Sequence, residues 1–191
     1  MCREDDVVID ISFLHTVLIA FLTVILVYIA FLDFLYYQIP NMLLVLISLL
    51  FLVWVVASGQ YSLLKNIKYA LLFVVVGGFL SYYNVFGEGD SKLLAVLSLW
   101  LGSKQTLHML LMMSLIGGVI ALMILFLSQY LHKVRQILWN IRIVRKINSY
   151  VISNIEESEA KITFEEYKRM VPYGIAIAAA AIICFFTKAG S

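Results

Sequence analysis

Hydrophobic residues along this chain come in long, nearly unbroken runs rather than in the mixed stripes of a soluble helix. Six such runs can be drawn, roughly Ser12–Leu32, Asn41–Ala57, Ile67–Phe86, Leu93–Leu101, Leu107–Tyr130 and Val171–Thr187. About 20 apolar residues cross a bilayer as a helix. The pattern therefore predicts an all-α, polytopic membrane protein with about six transmembrane helices in a single membrane-embedded unit, 1–191. The fourth run is the shortest, and it crosses only if its helix starts near Ser91 or if it lies in a thinned or protein-lined region. Pro40 and Pro172 stand where helices begin, since the missing N–H of proline is no loss in a first turn. Ser58-Gly59-Gln60 and Gly102-Ser103 read as turns.

Composition strengthens this picture. The chain is 63% hydrophobic, with a mean hydropathy of +0.97; soluble domains hold about 45–50% apolar residues. A net charge of +2 gives no reason to expect nucleic acid as a partner. The two cysteines, Cys2 and Cys184, form no CxxC and point to no metal. No cofactor is implied. The acidic start, Glu4-Asp5-Asp6, lacks the basic region of a secretory signal, so the first run reads as a permanent span.

Charge placement sets an expected orientation. Lys133, Arg135, Arg142, Arg145, Lys146, Lys161, Lys168 and Arg169 follow the fifth run and make up most of the 14 basic residues. Basic loops stay on the cytoplasmic side. Counting back through alternating spans puts the Asp33–Pro40 and Gly87–Lys92 loops in the cytoplasm and both termini outside. Within 131–170, Val134, Ile137, Ile141, Val144, Val151 and Ile155 share one face, interrupted at Asn148. That is a basic amphipathic helix suited to the anionic inner leaflet; docking a partner protein is the alternative. The Gly77-Gly78 and Gly117-Gly118 pairs, and Gly174 with Ala178, are expected to serve helix packing.

Against this background, two acids stand out. Asp33 ends the first run, and Asp90 lies in Gly87-Glu88-Gly89-Asp90-Ser91-Lys92. A charge at membrane depth is costly, roughly 2.5–3.5 kcal/mol at a helix centre on insertion scales. Two crossings separate the pair, so both acids are expected at one membrane face, and they can meet if the first and third helices are neighbours. Two carboxylates a few ångström apart share a proton, one activating water while the other protonates a carbonyl oxygen. Gly87 and Gly89 permit φ > 0 and would let an extended peptide approach beside Asp90. Lys92 either assists Asp90 or the substrate carbonyl, or anchors the interface. Each Asp alone could equally mark a helix end, Asp90 as a cap. His15, His108 and His132 have no ligand spacing.

Taken together, DFLYYQIPN (Asp33–Asn41) and GEGDSKLL (Gly87–Leu94) resemble the type IV prepilin peptidases, intramembrane aspartic proteases of the GxGD class. The resemblance implies Asp33 and Asp90 as catalytic, with Gly87, Gly89 and Lys92 beside the substrate. VPYGIAIA (Val171–Ala178) resembles the last span of the short members that serve Flp-type pili. The implied reaction removes the short basic leader of a prepilin or pseudopilin at the cytoplasmic face of the inner membrane. The larger bifunctional members carry an N-terminal insert with two CxxC pairs, associated with N-methylation. Neither is present here, so the resemblance gives no support to methyl transfer. The Gln38-Ile39-Pro40 approach also lacks basic residues associated with that loop. Two other readings stay open on the residues: a small ion-coupled carrier using both aspartates, and an inactive scaffold of a secretion machine.

Overall fold

Residues 4–59, 66–83, 86–140 and 172–189 are described by the structure, a computed structural model; side chains are described over 13–59, 66–83, 86–126 and 172–187. These residues form helices and no strand: α1 (Glu4–Tyr36), α2 (Asn41–Ser58), α3 (Ile67–Tyr82), α4 (Glu88–Asn140) and α5 (Tyr173–Ala189). The all-helical class expected from the sequence is observed. Phe13–Tyr36, Asn41–Ser58 and Glu88–Phe126 are long and apolar enough to cross a membrane, and Ile67–Tyr82 and Tyr173–Thr187 are shorter apolar helices. Most of the basic segment expected over 131–170 lies outside the described residues.

The core follows helical spacing. Leu18, Leu22, Ile25, Leu26, Ile29, Leu32 and Tyr36 form the buried stripe of α1, recurring every three or four residues as one helix face requires. Asp33 lies in that stripe. In α2 the buried set is Leu44, Ile47, Phe51 and Val55. The other faces are apolar as well: Leu71, Val75 and Phe79 on α3, and Leu111, Leu115 and Leu122 on α4, are exposed. Surfaces of that kind are what a bilayer solvates.

α5 packs against both α1 and α4, α4 also packs against α3 and α2, and α1 also packs against α2. Its buried residues are mostly small, with Ala176, Ala178, Ala180, Ala181 and Cys184 beside Ile177 and Phe185. Small side chains let helix backbones approach closely where lipid gives no hydrophobic drive. Trp100 of α4 is core rather than interface. It packs edge-on against Phe51 and Phe185, and its Nε1–H donates to the Ile47 carbonyl at 3.4 Å.

The fourth and fifth runs form one helical element instead of two, but not a straight rod. At about 1.5 Å per residue, the 39 residues of Glu88–Phe126 would extend about 58 Å, nearly twice the hydrocarbon thickness. Gly102, where a turn is expected, takes φ 74°, a left-handed value that no straight right-handed helix contains. The Asn66 side chain donates from Nδ2 to the Leu99 carbonyl at 2.9 Å, and Thr106 Oγ1 donates to the Gly102 carbonyl at 2.6 Å. Side chains thus satisfy carbonyls next to the break. Gly59, with φ 63°, likewise ends α2 in a left-handed cap.

Asn66→Leu removes the donor to Leu99 and is expected to cost about 1–3 kcal/mol. Gly102→Ala forces a Cβ into the left-handed region and is expected to cost roughly 1–2 kcal/mol. Thermal unfolding in detergent measures both, and wild-type stability in either variant contradicts the account of the break.

Candidate active site

α1 extends four residues beyond the run predicted for it, so Asp33 stands within its last turn and not at a frayed end. The helix stops at Tyr37, which takes φ 54° while its N–H donates to the Asp33 carbonyl at 2.9 Å. A left-handed tyrosine is an uncommon helix stop, and it turns the chain at once into Gln38-Ile39-Pro40. Pro40 then caps α2 from just outside its first residue.

Asp33 is 4% exposed. Its Oδ2 accepts the Ile175 N–H at 3.2 Å, in the first turn of α5. A Cβ on Gly174 would lie 2.8 Å from the Asp33 Cγ and Oδ2, so only glycine fits there. The first turn of a helix presents unpaired N–H groups and a partial positive charge. The carboxylate of one helix thus closes the open end of another across 142 residues of sequence.

Asp90 reaches the same region from α4. Gly87 precedes the helix, and the Ser91 N–H donates to the Gly87 carbonyl at 3.1 Å as its first turn. Asp90 is the third helical residue, and its carboxylate folds back over Gly87, where a Cβ would meet Oδ2 at 2.7 Å. It is therefore not the residue that caps the helix from outside. The Asp90 and Asp33 carboxylates are close enough to interact electrostatically. Ile39, just after α1, packs on Gly89, where a Cβ would stand 3.2 Å from the Ile39 Cβ. The end of α1 and the start of α4 thus share one end of the bundle.

Several expectations change in detail. Gly87 and Gly89 are absent from the positive-φ residues; what they supply is missing side-chain volume, for Asp90 and for Ile39. Helix adjacency differs too: α5 packs on both α1 and α4, and its N-terminus is what Asp33 touches. Gly174, read from sequence as a packing residue, packs directly against the Asp33 carboxylate. Its signal was present in the VPYG stretch, but nothing in its spacing links it to Asp33. Lys92 pairs with Glu88 one turn back, both side chains being exposed, and so faces away from the acids. His15 packs its ring against Trp54, with centroids 4.5 Å apart. Among the described residues no cluster of His, Cys, Asp or Glu could hold a metal ion.

A sequence model of the type IV leader peptidase family matches residues 20–122, more than half of the chain. The matched stretch holds Asp33 and Asp90 and stops short of α5. No curated protein and no solved structure matches the chain.

The contact between Asp33 and Gly174 is testable by itself. Gly174→Ala is expected to destabilise the protein by about 1–3 kcal/mol through overpacking. Because the two residues touch, its effect and that of Asp33→Ala should be non-additive by about 0.5–3 kcal/mol. A double-mutant cycle of thermal unfolding reads this, and strict additivity would contradict the contact.

Proposed function

Because the chain belongs to the type IV leader peptidase family, we propose that it is an aspartic endopeptidase that removes the leader of prepilins, with Asp33 and Asp90 as its catalytic carboxylates. The observation that carries the reading is the arrival of these two acids, from helices distant in sequence, at one end of the bundle within electrostatic reach of each other. Among the described residues neither carboxylate has a basic partner, and the nearest cation in sequence, Lys92, is engaged by Glu88. One buried acid and one half-buried acid at the same end of the bundle, with no base paired to either among the described residues, are suited to sharing a proton.

The contacts suggest a division of labour. Asp33 accepts an N–H at a helix N-terminus, a position that favours negative charge. It is the member assigned to take a proton from water as the oxygen attacks the scissile carbonyl carbon. Asp90, folded over Gly87, carries the shared proton and gives it to the carbonyl oxygen. When the tetrahedral diol collapses, the C–N bond breaks. The proton held by Asp33 passes to the leaving amine, and Asp90 recovers its own from the diol hydroxyl. Two carboxyl groups and one water close this cycle.

The finer assignments rest on sequence. The basic residues after the fifth apolar run favour a cytoplasmic site, and the VPYGIAIA stretch favours a Flp-type prepilin. Such a substrate places its apolar helix in the membrane and its leader in the cytoplasm, with the scissile bond at the interface. The break at Gly102 supports counting α4 as two crossings, six in all. The carrier and scaffold readings draw nothing from the family match.

Co-expression with a Flp-type prepilin, read by gel shift, tests the proposal. Wild type is expected to remove the leader. Asp33→Asn and Asp90→Asn should each lower the rate by about 10²-fold or more while still inserting in the membrane. Leader removal by either variant at the wild-type rate would overturn the two-carboxylate assignment.

A further inference from the structure

Outside the acid pair, one place in the bundle brings two helices closer than any pair of side chains permits. Gly77 is the buried residue of α3, while Val74, Val75, Val76 and Phe79 around it are exposed. A Cβ at Gly77 would lie 2.5 Å from the Ser91 Cβ and 2.7 Å from its Oγ. The Ser91 Cβ is one bond from the α4 backbone, so no rotamer removes the clash; the first turn of α4 would have to move. Antiparallel packing of the two helices fixes the register, since Asn66 meets α4 at Leu99 and Gly102, three turns from where Gly77 meets Ser91.

Ser91 is itself buried and directly follows Asp90. Its Oγ donates to the Gly87 carbonyl at 3.0 Å, the same oxygen that accepts the Ser91 N–H. Gly87 is the residue over which the Asp90 carboxylate folds. Ser91, Gly87 and Asp90 thus form one small rigid turn, and Gly77 is the surface it rests on. The neighbouring Gly78 has nothing within 4 Å of its added Cβ, which makes it an internal control.

We infer that Gly77 is a positioning residue for the reaction: its missing side chain lets α3 seat Ser91, and through Ser91 it sets where the Gly87–Asp90 turn presents its carboxylate to Asp33. This rests on the reading of Asp90 as catalytic. A displacement of an ångström at a reacting group can cost about 10²-fold in rate, and a methyl at position 77 demands a shift of that order.

The experiment measures kcat and KM for leader removal from a Flp-type prepilin in detergent, with thermal unfolding of each chain alongside. Gly77→Ala is expected to lower kcat by about tenfold or more with KM little changed, and Gly78→Ala to match wild type. Ser91→Gly leaves its Cα as the nearest atom, 3.4 Å from the added methyl. The double variant Gly77→Ala/Ser91→Gly should therefore recover the kcat of Ser91→Gly alone. That recovery is the decisive readout even if Gly77→Ala alone fails to fold. A double variant that folds yet cleaves about tenfold more slowly than Ser91→Gly overturns the inference. So does a Gly77→Ala chain that melts lower but keeps the wild-type kcat, since the contact would then be structural only. A wild-type chain that leaves the leader uncut, while unfolding of the 77 and 91 variants remains coupled, overturns the peptidase reading and this inference with it.

Discussion

The bond from the Ile175 N–H to the Asp33 carboxylate joins the end of α1 to the beginning of α5, and the arrangement of the site depends on it. Both partners would be costly alone. A carboxylate in the last turn of a buried helix has lost its water, and a helix N-terminus in an apolar surrounding holds N–H groups with nowhere to donate. Each satisfies the other. Because α5 also packs along α4, the same contact orients the helix that carries the second acid relative to the first.

Glycine performs the fitting at this end of the molecule, by volume and not by backbone freedom. Gly174 clears space for Asp33, Gly87 for Asp90, Gly89 for Ile39 and Gly77 for Ser91. The left-handed glycines are elsewhere, at the turn after α2 and at the break in α4. The two uses of glycine are chemically distinct, and a single substitution to alanine reports on different physics in each.

Much of this was legible in the sequence. Runs of apolar residues located the helices because membrane length and hydropathy leave little choice, and Asp33 stood out as the acid that ends the first of them, although a run apolar on every side does not mark which face turns inward. The Gly-x-Gly-Asp pattern marked the other acid. What could not be read was the role of α5. Nothing in a one-dimensional pattern says that Gly174 lies against a residue so far upstream, and the family match, ending at residue 122, does not reach it. The continuity of α4 was also hidden, since Gly102 reads as a turn whether a loop or a sharp bend follows. Of the two roles open to Lys92, its exposed pairing with Glu88 at i,i+4 on the same helix is the arrangement an interfacial anchor would take.

The bend at Gly102 has a mechanical side. Bilayers differ in thickness, and a long apolar helix meets a mismatch by tilting. In a straight α4, tilt of the lipid-facing portion, where Leu111, Leu115 and Leu122 are exposed, would swing the Asp90 end like the short arm of a lever. With a pivot at Gly102, and Asn66 holding the near side at Leu99, the outer portion can follow the lipid while the inner portion keeps its place. The same chain can thus sit in membranes of different thickness with the spacing of its two acids preserved.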